Sequence, residues 1–107
     1  MITIDDFAKL ELKVGKVVSC EAHPNADKLL VLKVDIGEGQ PRQAVAGLRP
    51  WYEPQSLVGR SVVFLANLEP AVLRGVESQG MLLAASDGKI VSVVGPDADV
   101  KVGAKVR

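Results

Sequence analysis

One cysteine, one histidine and four aromatic residues are all that this 107-residue chain holds of those types, and each shortage excludes something. Cys20 alone cannot build a disulfide framework, and with His23 the single histidine there is no Cys/His set for a structural metal. A surplus of charge of one sign is also missing, since thirteen basic residues face thirteen acidic ones. Unselective polyanion binders carry a clear basic excess, so that class is disfavoured, although a local patch can do what the total does not. No apolar run reaches the length of a membrane helix and no signal-peptide pattern opens the sequence. The expected setting is cytoplasmic, with no membrane partner. Catalytic order is absent too: nothing arranges Ser, His and Asp as nucleophile, base and orienting group. Gly37-Glu38-Gly39 is no phosphate-binding loop, because no helix follows it. The sequence therefore points away from an enzyme and calls for no metal and no cofactor.

What is present is aliphatic and finely punctuated. Hydrophobic residues make up 48 %, Val is the commonest of them, and ten Gly and six Pro separate short β-branched runs. That pattern predicts an all-β domain spanning residues 1–107. Asp5 and Asp6 follow Thr3 and precede FAKLEL, which suggests an opening helix of one or two turns with acidic residues at its N-terminus. Strands are expected over Leu12–Ala22 (with Gly15 as a bend or bulge), Leu29–Ile36, Arg42–Gly47, Ser61–Leu68 and Met81–Ala85, with a helical turn at Pro54–Leu57. Glu69–Gly80 reads as a long loop, Asp87-Gly88 as a type I′ hairpin turn leading into Lys89–Val94, and the closing KVGAKVR as one more short strand. Five strands with a helical element between the third and fourth is the order of an OB-fold, a five-stranded Greek-key barrel. The residues from about 86 exceed that barrel and form a C-terminal β extension, suited to packing on it or to a subunit interface.

The most informative stretch is His23–Gly37, HPNADKLLVLKVDIG, where a polar turn runs into a strand. Leu30, Leu32, Val34 and Ile36 alternate with Val31, Lys33 and Asp35, so one face belongs to a core and the other displays Lys33 beside Asn25 and Lys28. In an OB-fold the ligand surface lies on strands two and three and on the loops joining strands 1–2 and 4–5. Those loops are here His23–Lys28 and Glu69–Gly80. The second offers Arg74, with its planar fork of donors, and Ser78 and Gln79, which suit phosphate, ribose or base edges. Arg42 opens the third strand near Lys33. Between Lys28 and Arg74 six basic residues stand against four acidic ones, which favours a partner selected by shape. Stacking is poorly provided for, because no aromatic residue lies in either loop.

HPNADKLLVLKVDIG, RQAVAGL, LVGRSVVFLANLEP and LRGVESQGMLLAA, in this order and spacing, resemble consecutive motifs of the tRNA-binding domain family. Its members include a stand-alone dimeric tRNA-binding protein and the C-terminal domain of methionyl-tRNA synthetase. The likeness extends to the opening ITIDDFAKLELKVGKV and the closing VGAKVR. It implies a homodimer that binds tRNA by structure rather than sequence, beside or within an aminoacyl-tRNA synthetase. Carried onto this chain, it implies tRNA contacts from Asn25, Lys28, Lys33, Arg42, Arg74, Ser78, Gln79 and Met81. Ala46 departs from the Ser found in many relatives, which would remove a hydroxyl contact. A branch of export-related chaperones shares the fold and supplies the competing reading, a peptide-binding dimer with an apolar groove.

Plainer roles stand beside these. His23 could cap its own turn, Asn25 and Asp27 could simply shape it, and Ser78 and Gln79 could satisfy loop backbone. Met81 could belong to the core, as Cys20 should. Trp51 and Tyr52 suit packing under their loop or a dimer contact better than stacking on a base.

Overall fold

The opening helix lies earlier than expected, with only Phe7 of FAKLEL in it, because Thr3 caps it: the Thr3 hydroxyl accepts from Asp6 N–H and the Asp6 carboxylate accepts from Thr3 N–H, a capping box. The computed structural model describes residues 1–107. After α1 (Ile4–Phe7) come β1 (Leu12–Ala22), β2 (Leu30–Asp35), β3 (Arg42–Ala46), α2 (Pro54–Leu57) and β4 (Ser61–Leu65). Then follow β5 (Ala71–Leu73), β6 (Val76–Ser78), β7 (Met81–Leu82), β8 (Ala84–Ser86) and β9 (Val91–Val93).

The principal sheet is antiparallel in the order β3-β2-β1-β4-β7. β1 is long enough to serve two partners, pairing with β4 from Leu12 to Lys16 and with β2 from Lys16 to Ala22. The irregularity along it lies between Val17 and Ser19, where Val18 is left unopposed, and not at Gly15 as expected. Gly15 is required for another reason. A Cβ there would sit 2.6 Å from Val34 Cγ1, so the missing side chain lets β2 pack against β1. Inside the barrel, Leu30, Leu32, Val34 and Ile36 meet Val17, Cys20, Ala44, Val62 and Phe64, with Leu57 of α2 closing one end. The architecture is the small β-barrel expected from the element order.

Closure differs from the expected free loop at Glu69–Gly80. That segment holds the β5–β6 hairpin and then runs along β3. Gln79 N–H donates to Gln43 carbonyl at 2.7 Å, Gln43 N–H to Gln79 Oε1 at 3.0 Å, and Val45 N–H to Ser78 Oγ at 3.0 Å. Side-chain oxygens thus stand in for the ladder acceptors of a sixth strand and satisfy the β3 edge. The chain past β7 folds over the outside of β4, through Val63 N–H to Val94 carbonyl, Val94 N–H to Leu83 carbonyl and Leu83 N–H to Val63 carbonyl. Trp51 Nε1 donates to Lys89 carbonyl and Val93 N–H to Tyr52 Oη, pinning the β8–β9 hairpin on the barrel. The final residues are no strand. They form a single bridge, Lys13 to Lys105, with Val14 and Leu12 bonded to Ala104 and Val106.

Candidate nucleic-acid interface

The turn after β1 owes its shape to His23. The imidazole is buried, and its Nδ1 accepts from Asn25 N–H at 2.9 Å. The proton therefore sits on Nε2, which lies 2.9 Å from the Leu73 carbonyl and donates to it. One ring joins the two loops that sequence reasoning assigned to the site. Beyond Leu73, Arg74 and Gly75 form the two-residue turn of the β5–β6 hairpin, both with positive φ (54° and 89°). Arg74 is the one non-glycine residue of the chain in that region, and its Nε points back to Asn25 carbonyl at 3.4 Å.

Around this corner the cations divide into free and engaged. Lys33 is exposed on the outer face of β2, opposite Ser19 on one side and Gln43 on the other. Lys28 and Arg74 are exposed as well, and none of the three is in an ion pair, the two ion pairs of the chain being Lys9–Asp6 and Arg42–Glu38. Arg49, which sequence reasoning passed over, joins them. Its N–H donates to Lys28 carbonyl at 3.4 Å, and its exposed side chain is unpaired. The contact depends on how the loop after β3 folds back on the turn, and no local motif announces it.

Three of the expected contact residues also have partners within the chain. Arg42 forks onto Glu38 at 2.8 and 3.0 Å and donates from Nη1 to the Ala66 and Gln79 carbonyls, so its guanidinium staples the β2–β3 loop to the barrel rim. That bond holds the Glu38 carboxyl below its ordinary range. Ser78 is buried, with its hydroxyl between Val45 N–H and Gly80 carbonyl. Gln79 spends its amide on Gln43 and Glu77. All three therefore help hold the β3 edge and the rim around it. Met81 is not in the core either: it is 43 % exposed and borders an apolar groove of about 280 Å³ with Val45, Ala46, Leu48 and Val91. Asn25 is exposed and positions the turn through its backbone. Cys20 is buried, and burial with Glu21 nearby pushes its thiol up to about 11, which leaves it no nucleophile.

Comparison with known proteins bears on the chain as a whole. Residues 12–105 match the family described as "Putative tRNA binding domain". Methionine–tRNA ligase of Pyrococcus abyssi is 58 % identical over 106 residues, 99 % of this chain but 14 % of the ligase. A MetRS-related protein of Pyrococcus horikoshii superposes with a TM-score of 0.92 at 36 % identity, over 100 % of this chain and 98 % of that one. The chaperone CsaA of Bacillus anthracis has a TM-score of 0.90 at 27 % identity, covering 100 % and 99 %. The backbone is thus common to both branches, and the residues themselves run with the ligases.

Proposed function

The chain belongs to the tRNA-binding domain family, and from that premise we propose that it is a non-catalytic module binding tRNA by shape, with Lys28, Lys33, Arg49 and Arg74 as its contacting cations. The observation that carries this reading is that two loops, one bearing Lys28 and the other Arg74, both exposed and outside any ion pair, are tied together by His23. Arg is suited to phosphate and base edges, Lys to phosphate, and a structured RNA offers both along a fixed surface. The neutral total charge fits selective rather than indiscriminate attraction.

The chain spans about a seventh of the length of the ligases it matches, and its work is to hold tRNA near a synthetase, methionyl in the first instance, raising local concentration rather than performing chemistry. It operates as a homodimer in the cytoplasm, with the exposed Ile90, Val94 and Val100 of the C-terminal extension available to a second copy. Residues 1–107 act as one domain. A gel shift with bulk tRNA against a simple RNA duplex of equal length tests the reading: preference for tRNA supports it, and equal or absent binding refutes it. The groove beside Met81 is the observation that favours the peptide-binding alternative, which predicts retained peptide affinity where tRNA fails.

A further inference from the structure

Two segments fifty residues apart in sequence meet at one imidazole. Resting on the tRNA-binding reading, we propose that His23 is a positioning residue for RNA recognition: a strut that sets the tip of the β5–β6 hairpin, and with it Arg74, against the His23–Lys28 turn. The base of this hairpin is held to β3 by several bonds, from Gln43 Nε2 to Glu77 carbonyl (2.8 Å), from Val45 N–H to Ser78 Oγ, and from Gln79 N–H to Gln43 carbonyl. The tip is held differently. Ala71, Val72, Leu73, Arg74 and Gly75 are all exposed, so packing does not fix them. Beyond the hairpin's own ladder, their ties to the barrel are the His23 bond at 2.9 Å and the weaker Arg74–Asn25 contact at 3.4 Å.

Strands of three residues make a marginal ribbon when unsupported. The direction of the tip is therefore set by the ring that grips Leu73. Arg74 also pays a steric cost in its left-handed turn, which fits a side chain kept at the apex for what it reaches. Fixing that side chain before RNA arrives removes part of the ordering cost of binding and sets its spacing from Lys28. For a reader of shape, that spacing carries the selectivity.

The two ring nitrogens can be tested separately. His23→Asn keeps an acceptor near the Nδ1 position but cannot reach Leu73, whereas His23→Gln carries an amide N–H toward the Nε2 position. Backbone relaxation at residues 73–76 reads the tip in the free chain, a thermal melt reads the barrel, and tRNA affinity at one fixed salt concentration reads recognition. In His23→Asn the tip order parameters are expected to fall from about 0.85 to below about 0.6, and affinity to weaken about tenfold. In His23→Gln the tip stays ordered and affinity remains within about threefold of wild type. A tip as rigid in His23→Asn as in wild type overturns the proposal, as does a Gln variant weakened as much as Asn. Unfolding of both variants also overturns it, because His23 would then serve the fold alone. A wild-type chain that ignores tRNA refutes the functional reading and the recognition half of this proposal, while the relaxation data still decide whether the strut exists.

Discussion

Arg42 and Arg74 bring the same guanidinium to opposite tasks. Arg42 satisfies Glu38 and two backbone carbonyls at the barrel rim, so Arg42→Ala should lower stability by about 2 kcal/mol, measured by denaturant unfolding. Glu38 has a lowered folded pKa, so its contribution is present above the ordinary carboxylate range and is lost as pH falls through that lowered value. Arg74, Lys33, Lys28 and Arg49 form no ion pair on their own chain, and the Arg74 guanidinium makes only the long 3.4 Å bond to Asn25 carbonyl. Lys33→Ala or Arg74→Ala should leave the melting temperature unchanged and flatten the salt dependence of tRNA binding by about one phosphate each. Cys20 gives a separate check. Its folded pKa is raised from 9.0 to about 11, so the protonated thiol stabilises the fold below pH 9 and that contribution is lost as pH rises through about 11. Denaturant titrations at pH 8 to about 11 should show a steeper decline in wild type than in Cys20→Ala.

At the scale of elements, the β5–β6 hairpin is where turn chemistry and the proposed function pull apart. A two-residue turn with both φ values positive favours Asn-Gly over Arg-Gly. Arg74→Asn should therefore hold or slightly raise stability while weakening tRNA binding, a combination that a purely structural Arg74 cannot produce. Gly15→Ala should do the reverse, costing about 1–3 kcal/mol by overpacking against Val34 without touching the exposed cations. The sequence discloses β1 and α2 to the residue, because period-two burial and Pro54 at a helix start are local signals. It hides the hairpin, whose strands are too short to alternate visibly and whose turn lacks the usual residues. Asp87-Gly88 misleads in the other direction. Ser86 pairs with Val91 across a four-residue loop, because the Asp87 carboxylate accepts from both Lys89 and Ile90 N–H. Lys33 was legible from the alternation of β2. The engagement of Arg42, Ser78 and Gln79, and the arrival of Arg49 beside Lys28, depend on segments meeting across the barrel, which no local pattern records.

For the whole molecule, net charge is zero and only Lys9 and Arg42 are ion-paired, so most cations stand free over the surface, Lys28, Lys33, Arg49 and Arg74 among them. The extension over β4 leaves Ile90, Val94 and Val100 exposed, and sedimentation at micromolar concentration should find a dimer. A monomer would remove that part of the reading and leave the corner intact. The most direct measurement is tRNA affinity as a function of salt for wild type and for the combined Lys28→Ala, Lys33→Ala, Arg49→Ala, Arg74→Ala variant. If each cation meets one phosphate, log affinity against log salt should fall with a slope of about −3.6 in wild type and be close to flat in the variant, which still melts as wild type does. Equal slopes in the two proteins would contradict tRNA binding at this corner.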